Sequence, residues 1–415
     1  MLLSKRPEMF LPENWPNYFT KANGFNVWDL DGTEYVDMLM TPGTNSLGYN
    51  HPKVNEAVAK AIQDGNMSSL NAPEEVELAG RLIDLHPWAD MAKFARSGGE
   101  ANAIAIRIAR AASCRDSVAI CGYHGWHDWY LATNLNSGDG LKNHLLPGLE
   151  PKGVPKNLAD TVFPFEYNDI DHLEYLLKNQ NVGVIKMEVF RNKPPADDFL
   201  IRVKELAHKY KAILIFDECT SGFRKTFGGL HKLYGVDPDM AMFGKALGNG
   251  YAITAVIGRR EVMESAQSTF ISSTFWTERI GFVAGLATLD AMEGEKSWEN
   301  ITKIGKYFQD KLSSISEACN IPLKISGLEA LTTYTFDCGS KALHYKTFLT
   351  QEMLKKGYLA GSSFYPSNVH TKDTVDRFFS DLLPIFKTIE ECLNGDDISG
   401  YLEGPICHDG FKRLN

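Results

Sequence analysis

The chain has 415 residues, of which 44% are hydrophobic and 23% are charged, and its 43 basic and 52 acidic side chains give a formal net charge of −9. These are ordinary values for a globular protein, and they exclude disordered, collagen-like and coiled-coil classes. The mild negative charge disfavours nonspecific binding to nucleic acid or to anionic membranes.

Seven cysteines are scattered along the chain, and none forms a Cys-x-x-Cys pair. An odd number at irregular spacing is typical of reduced thiols, so we expect a cytoplasmic protein without disulfides. The N-terminal residues lack the apolar core of a signal peptide, and no stretch approaches the roughly 18 apolar residues of a transmembrane helix. We therefore expect neither a membrane nor a nucleic-acid partner.

The first 50 residues contain a hairpin signal. Alternating residues 26–30 and 34–38 flank Asp31 and Gly32, which is typical of a β-hairpin. Helical periodicity begins near Pro52 and returns over 76–83. We expect residues 1–50 to pack with a smaller domain formed by the C-terminal part of the chain.

Residues 51–297 alternate short apolar runs with helical segments, which predicts a large α/β domain. Strands are predicted over 93–96, 117–121, 182–187, 212–216, 239–243 and 252–257, and helices over 100–112 and 200–211. Strands interleaved with helices indicate βαβ units and a mostly parallel sheet covered on both faces.

The pattern changes near Trp298. Helices are predicted over 299–318, 342–356 and 372–393, and residues 331–336 have the alternation of an antiparallel strand. Residues 298–415 are therefore predicted to form the smaller α+β domain.

A possible anion site precedes the helix at 100–112. Ser97 stands three residues before Glu100, which is the spacing of a capping box, and Gly98 and Gly99 leave backbone N–H groups open. Helix N-termini bind anions through such groups and through the helix dipole. The two interpretations are a phosphate cradle and, alternatively, a well-capped helix with a tight entry turn.

Aromatic side chains cluster over 123–129, directly after the strand at 117–121. Ligands of open α/β sheets bind at the carboxyl ends of strands, so these rings suit a flat ligand that stacks. A packed aromatic corner is the alternative. His124 and His127 lack a third ligand nearby, which disfavours a zinc site.

Two further strands lead into residues that could carry chemistry, an acid and an amine. Asp217 closes a buried strand, where a carboxylate requires a cation or a hydrogen-bond donor. Lys245 follows the strand at 239–243, and a desolvated lysine there has a lowered pKa and becomes an amine nucleophile. A structural ion pair and a surface lysine are the respective alternatives. Together with the cradle and the rings, this acid and this amine fit pyridoxal 5′-phosphate (PLP).

These motifs resemble those of class III PLP-dependent aminotransferases of fold type I, particularly the glutamate-1-semialdehyde aminomutase group. The resemblance extends from about residue 27 to residue 371, and Lys245 follows Asp217 by 28 positions. It is carried by residues 94–101, 123–125, 214–218, 222–224 and 238–245. It implies a large domain with a mostly parallel seven-stranded sheet, a smaller α+β domain, and PLP as the cofactor.

The resemblance also implies roles. Lys245 would bind the cofactor covalently and move the substrate proton, Asp217 would pair with the ring nitrogen, and Tyr123 would stack on the ring. Thr274 would serve the phosphate of the neighbouring active site, which implies a homodimer. The remaining residues implied to bind the cofactor are Ser97, Gly98, Gly99, His124, Glu188, Asn192 and Cys219.

The chain departs from the family pattern at three places. Gly99 stands where a threonine is usual. The family has a Pro-Val-x-Gly-Asn stretch after its glutamate, and this chain instead has residues 189–192, which include Arg191. Tyr365 lies in the region where the aminomutases have a glutamate. That glutamate lies on the substrate side in the aminomutases. Its absence favours an aminotransferase over a 2,1-aminomutase.

We therefore expect an enzyme that takes an amino group from a small-molecule donor such as glutamate to a carbonyl acceptor. A keto sugar or nucleotide-linked sugar is the leading acceptor, because the rings of Trp126, Trp129 and Tyr365 suit stacking on such ligands. Packing in the core is the alternative interpretation of these three rings. An aldehyde or ω-amino acid substrate, a 2,1-aminomutase and a PLP racemase or decarboxylase remain alternatives. A non-catalytic PLP-fold binding protein is disfavoured, because Lys245 and Asp217 are both present.

Overall fold

The computed structural model describes residues 5–137, 140–142, 144, 149–190 and 192–409. Two compact units are formed. Residues 53–294 make one unit, and the described residues up to Pro52 and from Glu295 onward make the other. The N-terminal segment thus belongs with the C-terminal part of the chain.

The described residues form β-strands and α-helices, joined in places by short 3-10 helices. The strands are β1 Phe19–Asn23, β2 Asn26–Asp29, β3 Glu34–Asp37, β4 Met91–Ala95, β5 Ser117–Cys121, β6 Val162–Pro164, β7 Val182–Glu188, β8 Ile213–Asp217, β9 Met240–Phe243, β10 Thr254–Gly258, β11 Leu323–Ser326, β12 Thr332–Phe336, β13 Tyr358–Leu359 and β14 Ser363–Phe364. The α-helices are α1 Met40–Gly43, α2 Pro52–Asp64, α3 Pro73–Leu85, α4 Gly98–Ser113, α5 Asp128–Leu131, α6 Asn134–Ser137, α7 Ile170–Asn179, α8 Phe199–Lys209, α9 Arg260–Met263, α10 Arg279–Glu295, α11 Ser297–Ala318, α12 Ala342–Lys355 and α13 Lys372–Leu393.

A seven-stranded sheet runs through the unit of residues 53–294, in the order β4-β10-β9-β8-β7-β5-β6. Strands β5 to β9 are mutually parallel, whereas β10 is antiparallel to both β4 and β9. The predicted α/β class and mostly parallel seven-stranded sheet are confirmed. Parallel pairing brings the carboxyl ends of β5, β7, β8 and β9 to one edge of the sheet.

One strand of this sheet was not predicted. Strand β6 has only three residues, ends on Pro164, and pairs with β5 at the edge of the sheet. Proline has no backbone N–H for a ladder, so an edge position is where a sheet tolerates it. A segment this short lacks the alternation that identifies a strand from sequence.

Helix α4 covers one face of the sheet and fixes where its own N-terminus lies. Its buried face is rich in alanine and isoleucine, and it packs with Ile120, Ile215 and Met242 in one core cluster. Alanine positions let a helix lie close to a sheet, and fully buried strands read as continuous apolar runs. The packing holds the first turn of α4 beside the carboxyl ends of the strands.

The described residues of the other unit form two small sheets. Strands β2 and β3 form the predicted antiparallel hairpin around Asp31 and Gly32, and β3 also pairs in parallel with β13. The predicted strand near 331–336 is antiparallel to β11 and β14. Helices α11, α12 and α13 pack an aromatic core on this side. Among the described residues, no helix has the length and apolar character needed to cross a membrane.

Candidate active site

The carboxyl edge of the sheet brings together side chains from four strand ends. Tyr123 and His124 follow β5, Glu188 ends β7, Asp217 ends β8, and Lys245 follows β9. Two hydrogen bonds join members of this group, one between His124 and Asp217 and one from the Tyr123 N–H to Glu188. A third hydrogen bond runs from Lys245 to the neighbouring Thr220. All lie in the unit of residues 53–294.

Asp217 is a buried carboxylate with three partners. Its Oδ2 lies 2.9 Å from Nδ1 of His124 and 3.7 Å from Nζ of Lys186, and its Oδ1 accepts the backbone N–H of Cys219 at 3.2 Å. Burial alone would raise the pKa of Asp217, but the Lys186 ammonium and the His124 hydrogen bond outweigh it and hold that pKa well below the ordinary value. Asp217 is therefore ionised.

His124 is buried directly against this carboxylate. Because a carboxylate only accepts hydrogen bonds, Nδ1 of His124 carries the proton in this pair. Burial lowers the pKa of His124, so the ring is neutral and Nε2 presents a lone pair. Within the described part of the chain, Nε2 has no hydrogen-bond partner. No cluster of three or more metal-ligating side chains occurs among the described residues.

Lys186 is a site residue that sequence reasoning missed. It lies in the middle of β7 with its side chain 0% exposed, and its Nζ contacts the Met242 sulfur at 2.9 Å besides Asp217. A lysine inside a run of apolar strand residues was the signal, because a buried cation requires a carboxylate partner.

A close approach of two chain segments positions Glu188. Gly122 has a φ of 121°, and a Cβ there would lie 2.5 Å from Oε2 of Glu188. That oxygen accepts the N–H of Tyr123 at 3.1 Å. The Tyr123 ring is 39% exposed and meets Tyr130 edge-on, with 6.2 Å between ring centroids. Only glycine combines this backbone conformation with this contact.

The predicted capping box at the start of α4 is confirmed. Ser97 Oγ accepts the Glu100 N–H, and Glu100 Oε2 accepts the Ser97 N–H at 2.8 Å. The other carboxylate oxygen of Glu100 accepts from Trp276 Nε1 at 3.1 Å. Gly99 is buried against His127 and Trp126, and a Cβ there would lie 3.0 to 3.2 Å from them. This turn thus has the polarity and the tight backbone of an anion site.

Lys245 has a strained backbone and a desolvated amine. Its φ is 41°, a conformation that costs a non-glycine residue roughly 1–3 kcal/mol and is concentrated at functional sites. Its Nζ donates to Oγ1 of Thr220 at 2.9 Å. Burial, followed by the positive charge of Arg224, lowers the pKa of Lys245 and raises the fraction of neutral amine.

Cys219 lies between the α4 turn and the Lys245 turn. Its Sγ is 3.9 Å from where a Cβ on Gly98 would stand and 3.4 Å from where a Cβ on Gly244 would stand. Burial, reinforced by the charge of Asp217, raises the pKa of its thiol, so Cys219 is a neutral, small apolar group here.

Other predicted residues lie outside this cluster. Asn192 and Thr274 are both exposed, and neither side chain has a hydrogen bond within the described ranges. Arg191 lies outside the described residues. Tyr365 belongs to the other unit, where its N–H donates to the Met38 carbonyl at 3.0 Å.

The interpretation of Trp129 as a ring that stacks on a ligand is wrong. Trp129 is buried in the core cluster that contains α4 and meets Tyr130 edge-on. Trp126 is 69% exposed and packs on His127 at 4.6 Å between ring centroids. Sequence reasoning could not separate the two, because the short helix α5 that buries Trp129 has no periodicity to reveal its inner face.

Comparison with known families decides the assignment. A family model described as Aminotransferase class-III matches residues 12–382. The chain belongs to this family.

Curated relatives cover most of this class III chain. It is 33% identical over 352 residues to a 3-aminobutyryl-CoA aminotransferase of Cloacimonas acidaminovorans, covering 82% of this chain and 81% of that protein. It is also 33% identical over 388 residues to a glutamate-1-semialdehyde 2,1-aminomutase of Methanothrix thermoacetophila, covering 88% of each chain. The chain is thus a PLP-dependent enzyme of the aminotransferase or aminomutase type.

Solved structures show the same fold. The FumI protein of Sphingopyxis sp. MTA144, solved with PLP, matches with a TM-score of 0.86 at 22% identity and covers 97% of this chain and 96% of its own. An omega-transaminase from Sphaerobacter thermophilus matches with a TM-score of 0.82 at 22% identity and 93% coverage of each chain. The predicted PLP-dependent transferase fold is confirmed.

The described residues fit the PLP that this family uses. An ionised buried carboxylate at Asp217 suits a protonated ring nitrogen, and the desolvated amine of Lys245 suits an aldehyde. The first turn of α4 offers backbone donors to a phosphate, and a Cβ at Gly99 would press on the side chains of His127 and Trp126.

Proposed function

We propose that this class III enzyme is an aminotransferase in which Lys245 and Asp217 are the principal catalytic residues. The proposal is supported by the placement of Lys245 and Asp217 at neighbouring strand ends, where Asp217 ends β8 and Lys245 follows β9. Burial lowers the pKa of the amine, and the Lys186 charge helps to hold the pKa of the carboxyl below its ordinary value. PLP, when bound, supplies an aldehyde that accepts amino groups and a ring that withdraws electrons from the bond being broken.

In this proposal Lys245 Nζ binds the cofactor and then moves a proton to and from the substrate Cα. Burial lowers its pKa and so increases the fraction of neutral amine, which is the form that acts as nucleophile and base. Thr220 accepts a hydrogen bond from Nζ and so orients the amine before substrate enters. The fixed, strained backbone at Lys245 limits the amine to a narrow set of positions.

Asp217 would hold the proton on the ring nitrogen, and His124 would orient Asp217. Tyr123 would stack on one face of the ring and Cys219 would contact the other. Ser97, Gly98 and Gly99 would bind the phosphate. Glu188 and Asn192 are proposed cofactor residues by resemblance, and the Glu188 contact with the Tyr123 N–H supports the first of them.

For the substrates, we propose glutamate as the amino donor and a carbonyl compound other than a simple 2-oxo acid as the acceptor. A keto sugar or nucleotide-linked sugar remains the leading candidate, supported by the exposed ring of Trp126. A 3-oxoacyl thioester is the second candidate, supported by the 3-aminobutyryl-CoA aminotransferase relative.

The alternative reaction is a 2,1-aminomutase, which several relatives carry out by name. Tyr365 replaces the glutamate expected on the substrate side of that reaction. A tyrosine does not supply the charge of a carboxylate at neutral pH, so we favour transfer between two molecules over transfer within one.

We also propose a homodimer in which Thr274 serves the neighbouring active site. Phe270 and Phe275 flank Thr274 and are 83% and 67% exposed. Large apolar side chains grouped on a surface mark a protein–protein interface. The double variant Phe270→Ser/Phe275→Ser should sediment as a monomer in analytical ultracentrifugation and should bind PLP more weakly. The control variant Leu233→Ser changes an exposed apolar side chain elsewhere on the surface and should leave the dimer intact.

The function is tested with the purified holoenzyme in a spectrophotometer. We expect a visible band of lysine-bound PLP that glutamate converts to a near-ultraviolet band, and that a keto sugar nucleotide or a 3-oxoacyl thioester then restores. A visible band unmoved by a panel of amino donors, but with glutamate-1-semialdehyde isomerised, would instead establish the aminomutase. Absence of any band after PLP addition would overturn the proposal.

A further inference from the structure

Lys186 is a buried lysine beside Asp217, and the packing of the fold does not explain why a charged side chain stands there. Lys186 shares one sheet face with Glu188, Asp217 and Met242, as the β7–β8 and β8–β9 registers show. Its ammonium contacts only Asp217 and Met242 among the described residues. An apolar side chain of similar volume would fill the same space.

Removing the Lys186 ammonium from water costs free energy of desolvation, so we expect its charge to have a use in the protein. Replacing a buried ion pair by apolar residues is frequently neutral or stabilising, so packing alone does not account for a lysine at this position. The gain must come from the charge of Lys186. The nearest carboxylate to that charge is Asp217, at 3.7 Å.

Asp217 is shared between two groups on the same oxygen. His124 and Lys186 both approach Oδ2, and Oδ1 accepts the Cys219 N–H. A cation placed this close partly neutralises the negative potential that Asp217 offers to any further proton donor. The ring nitrogen of the cofactor is such a donor.

We infer that Lys186 is a positioning residue that, through Asp217, weakens the hold of the site on the proton of the PLP ring nitrogen. The inference rests on the proposed pairing of Asp217 with that nitrogen. If Lys186 acts in this way, the cofactor ring withdraws electrons less strongly than it would beside an Asp217 that had no lysine in contact.

The charges around the pair support this assignment. Burial raises the pKa of Asp217, and the Lys186 charge is the largest of the influences that bring it down again. The other titratable groups facing the pair are His124 after β5, Glu188 on β7, Cys219 after β8 and Lys245 after β9. Of these, burial keeps His124 and Cys219 neutral. Burial lowers the pKa of Lys186, and the negative charge of Asp217 opposes this shift and favours the ammonium form.

The test uses holoenzyme loaded with PLP carrying ¹⁵N at the ring nitrogen. Protonation moves this resonance upfield, so the ¹⁵N shift reports the proton directly and does not depend on turnover. We expect Lys186→Met to move the resonance upfield and to raise the proton affinity of the ring nitrogen about tenfold in a pH titration, which corresponds to one pKa unit.

Two controls separate this effect from packing and from the proposed function. Met242→Leu alters the same contact without changing charge and should leave the resonance in place. Asp217→Asn tests the underlying pairing and should move the resonance downfield or abolish PLP binding. Lys186→Gln repeats the experiment with a polar neutral side chain if the methionine variant does not fold.

The two failures are distinguishable. An identical ¹⁵N titration for the wild-type enzyme and both Lys186 variants would overturn the role of Lys186 and leave Asp217 in place. A resonance unaffected by Asp217→Asn would overturn the pairing itself, and the inference with it.

Discussion

His124 Nδ1 lies 2.9 Å from Asp217 Oδ2, with both side chains buried at the carboxyl edge of the large sheet. Because His124 follows β5 and Asp217 ends β8, this contact joins two strand ends separated in the sheet by β7. It fixes the orientation of a carboxylate that the Lys186 charge keeps ionised.

Removing the charge of Asp217 should destabilise the protein as well as inactivate it. Asp217→Asn leaves the Lys186 ammonium buried without its carboxylate, which costs about 3–5 kcal/mol when one partner of a buried pair is lost. Thermal unfolding of the cofactor-free forms measures this. The double variant with Lys186→Met should recover most of the lost stability, and a double variant no more stable than Asp217→Asn would contradict the pairing.

The cap of α4 should affect both stability and PLP affinity. Ser97→Ala removes the acceptor for the Glu100 N–H and should cost about 1 kcal/mol of unfolding free energy together with a clear loss of PLP affinity. Asp169→Ala removes the equivalent cap of α7, where Asp169 accepts from the His172 N–H at 3.0 Å. It should lose comparable stability with no change in PLP affinity by fluorescence titration. Equal effects of both variants on PLP affinity would exclude Ser97 from the phosphate site.

Gly122 should tolerate no side chain. Gly122→Ala places a Cβ against Glu188 and imposes a left-handed backbone on alanine, so we expect a loss of about 2–4 kcal/mol and a disturbed PLP spectrum. Gly65→Ala is the matched control, because Gly65 has a φ of 104° and open space around it. It should cost only the backbone penalty, about 1–2 kcal/mol. Equal urea midpoints for both variants would show that the contact with Glu188 is unimportant.

Stability should fall on mild acidification because of buried histidines. Burial lowers the pKa of His370 to about 4, below the roughly 6.5 of an unfolded chain. The unfolded state therefore binds the proton more readily, and the stability present above about pH 6.5 is lost as the pH falls towards 4, by about 3 kcal/mol. His86 behaves the same way in the other unit.

The His370→Gln variant tests this pH dependence, since glutamine does not titrate and still offers an acceptor to the Ser367 N–H. Urea unfolding between pH 4 and 7 should show a flatter profile for the variant than for the wild type. Superimposable profiles would show that His370 does not contribute.

Much of the fold could be predicted because its signals are local. Strand β5 was placed without error, and Asp217 and Lys245 stand out as polar residues at the ends of apolar runs. The Lys186–Asp217 pair could not be predicted, because it depends on the register between β7 and β8 rather than on either segment alone. Strand β6 and the burial of Trp129 depend likewise on neighbours distant in the sequence.

The most direct measurement is to reduce the holoenzyme with borohydride and locate the attached cofactor by peptide mass spectrometry. We predict that the added mass of reduced PLP lies on the peptide containing Lys245, and that Lys245→Ala removes it. The same mass on the peptide containing Lys186, or on none, would contradict the assignment of Lys245 as the cofactor lysine.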